Sequence, residues 1–154
     1  SGYPAYCLDE ESKYCSMHGI QELHQDIREM CVDKHMGTAD VFKFMLAMNK
    51  QCTSQNADTC WEAVAKGLGL DTAKIKTCEK DEGLAMVKAQ KDLNDLAGVS
   101  GSPAVFIDGT EYNGARTAEG FKTALCNAFT TKPSGCSTTL DGGTATTAAT
   151  GGCG

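Results

Sequence analysis

The chain has 154 residues, enough for one domain with a real core, and sets 14 Lys and Arg against 20 Asp and Glu for a formal net charge of −6. With no clustered basic residues, that balance argues against a nucleic-acid partner, whose phosphates need such clusters. No run approaches the roughly 18–20 apolar residues of a membrane span, so a membrane-spanning chain is not expected.

Residues 1–16 read as a short, polar, irregular N-terminal segment. It opens Ser1-Gly2-Tyr3 without Met, which predicts a processed or scarred terminus. Residues 17–97 read as a helical subdomain. From Met17 to Lys34, Ile20, Leu23, Ile27, Met30 and Cys31 recur every three or four residues, leaving Glu22, Gln25, Asp26 and Glu29 on the other face. Gly37 stops this helix, and Thr38 caps a second through Val41, Phe42, Met45, Leu46 and Met48. After a polar loop, Asp58 caps a third helix carrying Cys60, Trp61, Val64, Ala65 and Leu68. Asp71 caps a short helix through Ile75 and Cys78, and a longer one runs from about Asp81 to Ala97, closed by Gly98.

The period changes over 98–129. Ala104-Val105-Phe106-Ile107, the tight-turn pair Asp108-Gly109 and Glu111-Tyr112-Asn113 predict one β-hairpin. Thr117 caps a last helix through Phe121, Leu125 and Phe129. Residues 130–154 form a Gly/Thr/Ala-rich tail with too little apolar surface to fold alone. The sum is an α+β chain of about six helices and one hairpin.

There are nine cysteines, and no two are separated by fewer than seven residues, so neither a redox Cys-x-x-Cys nor a zinc knuckle is present. We read them as structural disulfides of a secreted or otherwise oxidised protein. Cys7 with Cys15 would close a local loop, Cys52 with Cys60 spans an interhelix loop, and Cys126 with Cys136 ties the tail's start to the last helix. Cys31 with Cys78 is the pair left over, although spacing alone does not fix connectivity. Cys153, one residue from the end, is the candidate for an interchain bond. Cys15-x2-His18 and Cys31-x3-His35 imitate a zinc spacing, but along one helix His18 and Cys31 stand about 20 Å apart, so no metal is expected.

The run Gly98-Val99-Ser100-Gly101-Ser102-Pro103-Ala104-Val105-Phe106-Ile107-Asp108-Gly109 resembles the cis-proline loop and following strand of DsbA-like thioredoxin-fold oxidoreductases. The likeness continues through Tyr112-Asn113-Gly114-Ala115-Arg116, and the upstream helices look like that family's helical insertion. Gly69-Leu70-Asp71, Lys74-Ile75 and Cys126-Asn127-Ala128-Phe129 are similar to the thioredoxin-like region of plant vacuolar sorting receptors. The resemblance implies a partial thioredoxin-like (DsbA-like) fold, a cis bond at Ser102-Pro103 and a loop that holds extended peptide. It implies no catalytic residue, because the family's dithiol is missing, and it calls for no cofactor.

Two functions follow as expectations. The first is a disulfide-stabilised structural or interaction protein, a homo-oligomer or polymer that self-assembles, as a filament would, through an open strand edge and Cys153. The second is a thiol-disulfide oxidoreductase relative whose Cys-x-x-Cys lies on a missing segment or a partner chain. A peptide-sorting module resembling the vacuolar receptors is a third and weaker reading. Absence of a dithiol favours the non-enzymatic one.

Overall fold

The structure, a computed structural model, describes residues 2–101 and 103–140. It divides at the Ala97–Gly98 junction into two units.

The first unit is helical: α1 (Ile20–Met36), α2 (Thr38–Gln51), α3 (Ala57–Gly67) and α4 (Thr72–Ala97). α1 packs on the other three, so its apolar stripe must satisfy several neighbours. Ile27, Cys31 and Val32 meet Val41, Phe44 and Met48 of α2, Trp61, Val64 and Ala65 of α3, and Ile75 and Cys78 of α4. Gly37 turns the chain between α1 and α2 at φ 104°, a value L side chains avoid, and its N–H closes α1 on Val32 and Asp33. Gly83 lets α4 pack tightly against Ile27 of α1: a Cβ there would lie 2.9 Å from Ile27 Cγ2. Before α1, the Cys7–Cys15 bridge closes a loop whose Leu8 N–H donates to Tyr14 O, while Ile20 N–H donates to Ala5 O.

α1 begins at Ile20 rather than Met17, because Gly19 at φ 108° is not helical. The short and long helices expected over 71–97 are one helix of 26 residues. Asp81 does not start a helix, because Glu79-Lys80-Asp81-Glu82 contains no breaker, and Glu79 and Glu82 hold basic residues of α1 across the join. Among the described residues there are therefore five α-helices.

The second unit carries β1 (Phe106–Ile107), β2 (Thr110–Glu111), α5 (Ala118–Ala128) and a 3-10 turn at Ser134–Ser137. The strands pair antiparallel, Phe106 with Glu111 and Ile107 with Thr110. Asp108 and Gly109 sit at φ 50° and 75°, the two positive values a type I′ turn needs. Thr117 Oγ1 caps α5 by accepting from Gly120 N–H at 3.0 Å, and the Tyr112 ring packs on Phe121 at 5.1 Å.

The thioredoxin-like (DsbA-like) fold expected from the resemblance is absent from the described residues, whose one sheet is this two-stranded ladder. The reason is physical. A thioredoxin-type core packs helices on a broad sheet, whereas no residue of β1 or β2 is buried here, and Phe106 is 39% exposed. The large core is helix on helix and lies wholly in the first unit.

Candidate functional site

The eight cysteines of the described residues form four bridges: Cys7–Cys15, Cys31–Cys78, Cys52–Cys60 and Cys126–Cys136. Their roles differ with position. Cys31 and Cys78 are fully buried and clamp α1 to α4 across a separation of 47 residues. By loop-closure entropy, such a bridge restrains the unfolded chain by about 4 kcal/mol, against roughly 2.5 kcal/mol for the eight-residue separations. Cys52–Cys60 spans the α2–α3 loop. Cys126 is the one buried residue among the described residues of the second unit, so its bridge to Cys136 takes the place of a core there.

These bridges also decide what chemistry the cysteines can offer. Cys31 and Cys78 are neither nucleophiles nor thiolate ligands while bonded to each other. His35, Cys78 and Glu82 do converge, and His35 Nε2 lies 3.1 Å from Glu82 Oε1, but the sulfur is spent in its bridge. Cys15 likewise is bonded to Cys7, so the Cys15-x2-His18 spacing offers no sulfur ligand. His18 instead pairs with Glu22 at 2.9 Å. Pro103 is exposed; Ser102, and with it the Ser102–Pro103 bond, lies outside the described residues, as does Cys153.

A charged seam that sequence reasoning missed runs through the helical core. Arg28 is only 5% exposed. Its Nη2 donates to Asp58 Oδ1 at 2.8 Å and lies 2.8 Å from Glu79 Oε1, while Nε donates to Glu79 Oε2 at 3.0 Å. The guanidinium also stacks over Trp61, 4.9 Å from the ring centroid. One residue of α1 thus holds α3 through Asp58 and Trp61 and α4 through Glu79. Burial opposes ionisation of Asp58, but hydrogen bonds from His24 and Arg28 outweigh it and hold the carboxyl below its ordinary range. Among the described residues Arg28 Nη1 is buried without a hydrogen-bond partner, so part of the burial cost goes uncompensated. The signal was present in the sequence: His24, Arg28 and His35 recur at helical spacing beside Leu23, Ile27 and Cys31. Nothing local in the sequence shows which acids they meet, because Asp58, Glu79 and Glu82 lie on other helices.

Among the described residues no helix is long and apolar enough to cross a membrane. Compared with known proteins, the chain matches no family model, no curated protein and no solved structure.

Proposed function

We propose that the protein is a secreted, disulfide-stapled structural or interaction protein that self-associates, with Cys153 forming a bond between copies. One observation carries this reading. Eight of nine cysteines are consumed pairwise within the chain, which leaves Cys153 as the odd sulfur. Four bridges support an oxidising compartment, where an exposed thiol tends to find a partner. The two-residue strands β1 and β2 each leave an outer edge unpaired among the described residues, and Phe106, Leu125 and Phe129 stay exposed, which favours association over catalysis. The oxidoreductase reading places its Cys-x-x-Cys on a missing segment or a partner chain, and the two-stranded ladder lends it no thioredoxin-type sheet among the described residues.

The test is intact mass, with and without reduction, after alkylation of free thiols. We expect covalent multimers that carry no alkylated cysteine and collapse on reduction to the 16.2 kDa chain. Cys153→Ser should abolish them. A monomer alkylated once, at Cys153, would remove the proposal.

A further inference from the structure

Cys31 and His35 stand four residues apart on α1, and Cys78 and Glu82 four apart on α4. Each helix therefore presents a sulfur and a second donor on one face. The Cys31–Cys78 bridge shows that the two faces meet. Among the described residues, His35, Cys78 and Glu82 are the one set of such side chains that brings a ligand atom each within 4.8 Å of the others. Ligands of a single zinc ion lie about 2.0–2.3 Å from it, so two of them stand at most about 4.6 Å apart. Small side-chain rotations close the set to that size. Cys31 Sγ, bonded to Cys78 Sγ, reaches the same point and supplies a fourth donor.

The convergence does not depend on the bridge alone. Ile27 of α1 packs on Gly83 of α4, Arg28 pairs with Glu79, and Lys34 and His35 pair with Glu82. The donor types select the ion. Two thiolates, an imidazole and a carboxylate make a borderline-soft, four-coordinate set that suits zinc, whereas calcium and magnesium take oxygen ligands. The charges also balance: zinc and the Lys34 ammonium together offset two thiolates and the Glu82 carboxylate. Access is one-sided. The two sulfurs lie in the core, whereas the side chains of His35 and Glu82 are 23% and 33% exposed and open the set to solvent.

We propose that the chain, with its Cys31–Cys78 bridge open, binds one zinc ion through Cys31, Cys78, His35 and Glu82. The bridge and the ion are alternative clamps between α1 and α4. Opening takes two electrons from a thiol reductant: two RSH become one RSSR, and their two hydrogens leave Cys31 and Cys78 as thiols. Both thiols then release their protons to solvent as the zinc–sulfur bonds form. A newly made chain holds the same two thiols before its bridges close, so the site is compatible with a protein that ends in an oxidising compartment. The inference is independent of the Cys153 bond.

Zinc binding by the full chain, reduced with a phosphine and kept free of oxygen, tests this. Differential alkylation read by peptide mass spectrometry locates the ion. One equivalent of zinc should slow alkylation of Cys31 and Cys78 at least about tenfold, and that of the remaining cysteines less than about twofold. Competition against a chromophoric chelator should show one ion per chain, held at least about tenfold more tightly than by His35→Ala or Glu82→Gln. His18→Ala, which removes the histidine at the other zinc-like spacing, should leave the affinity unchanged. Circular dichroism of both variants in their oxidised form checks that they fold. The oxidised parent should bind at least about a hundredfold more weakly than the reduced one. Absence of zinc binding by the reduced parent, protection centred on other cysteines, parent-like affinity in either variant, or equal binding by the oxidised chain overturns the proposal.

Discussion

At the scale of single residues, the acidic face of α1 shows how a neighbour changes a side chain's chemistry. An unfolded aspartate loses its proton near 3.8, whereas partial burial and repulsion from Glu29 and Glu22 push the folded Asp26 up to about 6. It makes no hydrogen bond or ion pair among the described residues. Between those values the native state binds more protons than the unfolded one, so stability falls as pH rises across the window. Below it Asp26 costs nothing, and above it the full penalty persists. Glu29, raised from its ordinary value by burial despite the bond from Gln25, acts in the same direction, whereas the bonds from Ser16 and His18 outweigh burial at Glu22 and lower it. On one side Asp26 borders a hollow lined by Lys13 and Lys91 and keeps contact with solvent there, so screening trims the effect to below about 1 kcal/mol. Asp26→Asn should therefore match the parent at about pH 4 and exceed it in urea midpoint at about pH 7. A variant less stable than the parent at neutral pH would show that the carboxylate has a donor after all. The sequence disclosed that these acids share a face, because helical spacing is local. It did not disclose their frustration, which depends on Met45 and Met48 of α2 closing a groove beside them. Arg28 is the converse case, a charge drawn into the core by Asp58 and Glu79 from 30 and 51 residues away.

Among the elements, the helices of the first unit were readable because their apolar residues repeat at helical period and Gly37 interrupts them. The continuity of α4 was not, since Asp71 and Asp81 both look like caps and the tie of Glu79 and Glu82 to α1 is remote in sequence. The role of Gly83 was equally hidden. In an isolated helix a glycine costs about 1 kcal/mol relative to alanine, so replacing it ought to stabilise. At Gly83 the new methyl would meet Ile27 Cγ2 at 2.9 Å, a branch atom of a buried side chain that cannot swing aside. Gly67, in the last turn of α3, has nothing within 4 Å of the same added atom. The identical substitution should then have opposite signs. Gly83→Ala is expected to lose about 1–3 kcal/mol through overpacking, and Gly67→Ala to gain roughly 0.5 kcal/mol, read from chemical denaturation. A stabilised Gly83→Ala would mean that α1 and α4 can separate at this point without loss.

For the whole molecule, the contrast between the two units decides what each disulfide does. The first unit buries a cluster drawn from four helices, and its clamp Cys31–Cys78 reinforces contacts already made by Ile27, Val32 and Ile75. The second has a two-residue ladder, one helix and a single buried residue among those described, far less than an independent fold needs. What holds its last turn is the Cys126–Cys136 bridge, aided by Lys122 bonding Thr138 O and by Leu140 N–H donating to Glu119 Oε2 at 2.8 Å. The similarity of 98–116 to a known loop implied a partial thioredoxin-like fold with an open strand edge, whereas the described residues hold only a two-residue ladder. The local turn chemistry of Asp108-Gly109 was sound, but a hairpin's surroundings are not written in its own residues. Dependence on one bridge yields a prediction at this scale. Cys126→Ser with Cys136→Ser should melt the second unit and leave the first intact, because no core of the first unit includes a residue beyond Val87. Hydrogen exchange read by mass spectrometry should show residues 118–140 exchanging at unfolded-chain rates while 20–87 keep their protection. If 118–140 stays protected without the bridge, the second unit is held by apolar contact with something else, and the exposed Leu125 and Phe129 are the side chains to examine for it.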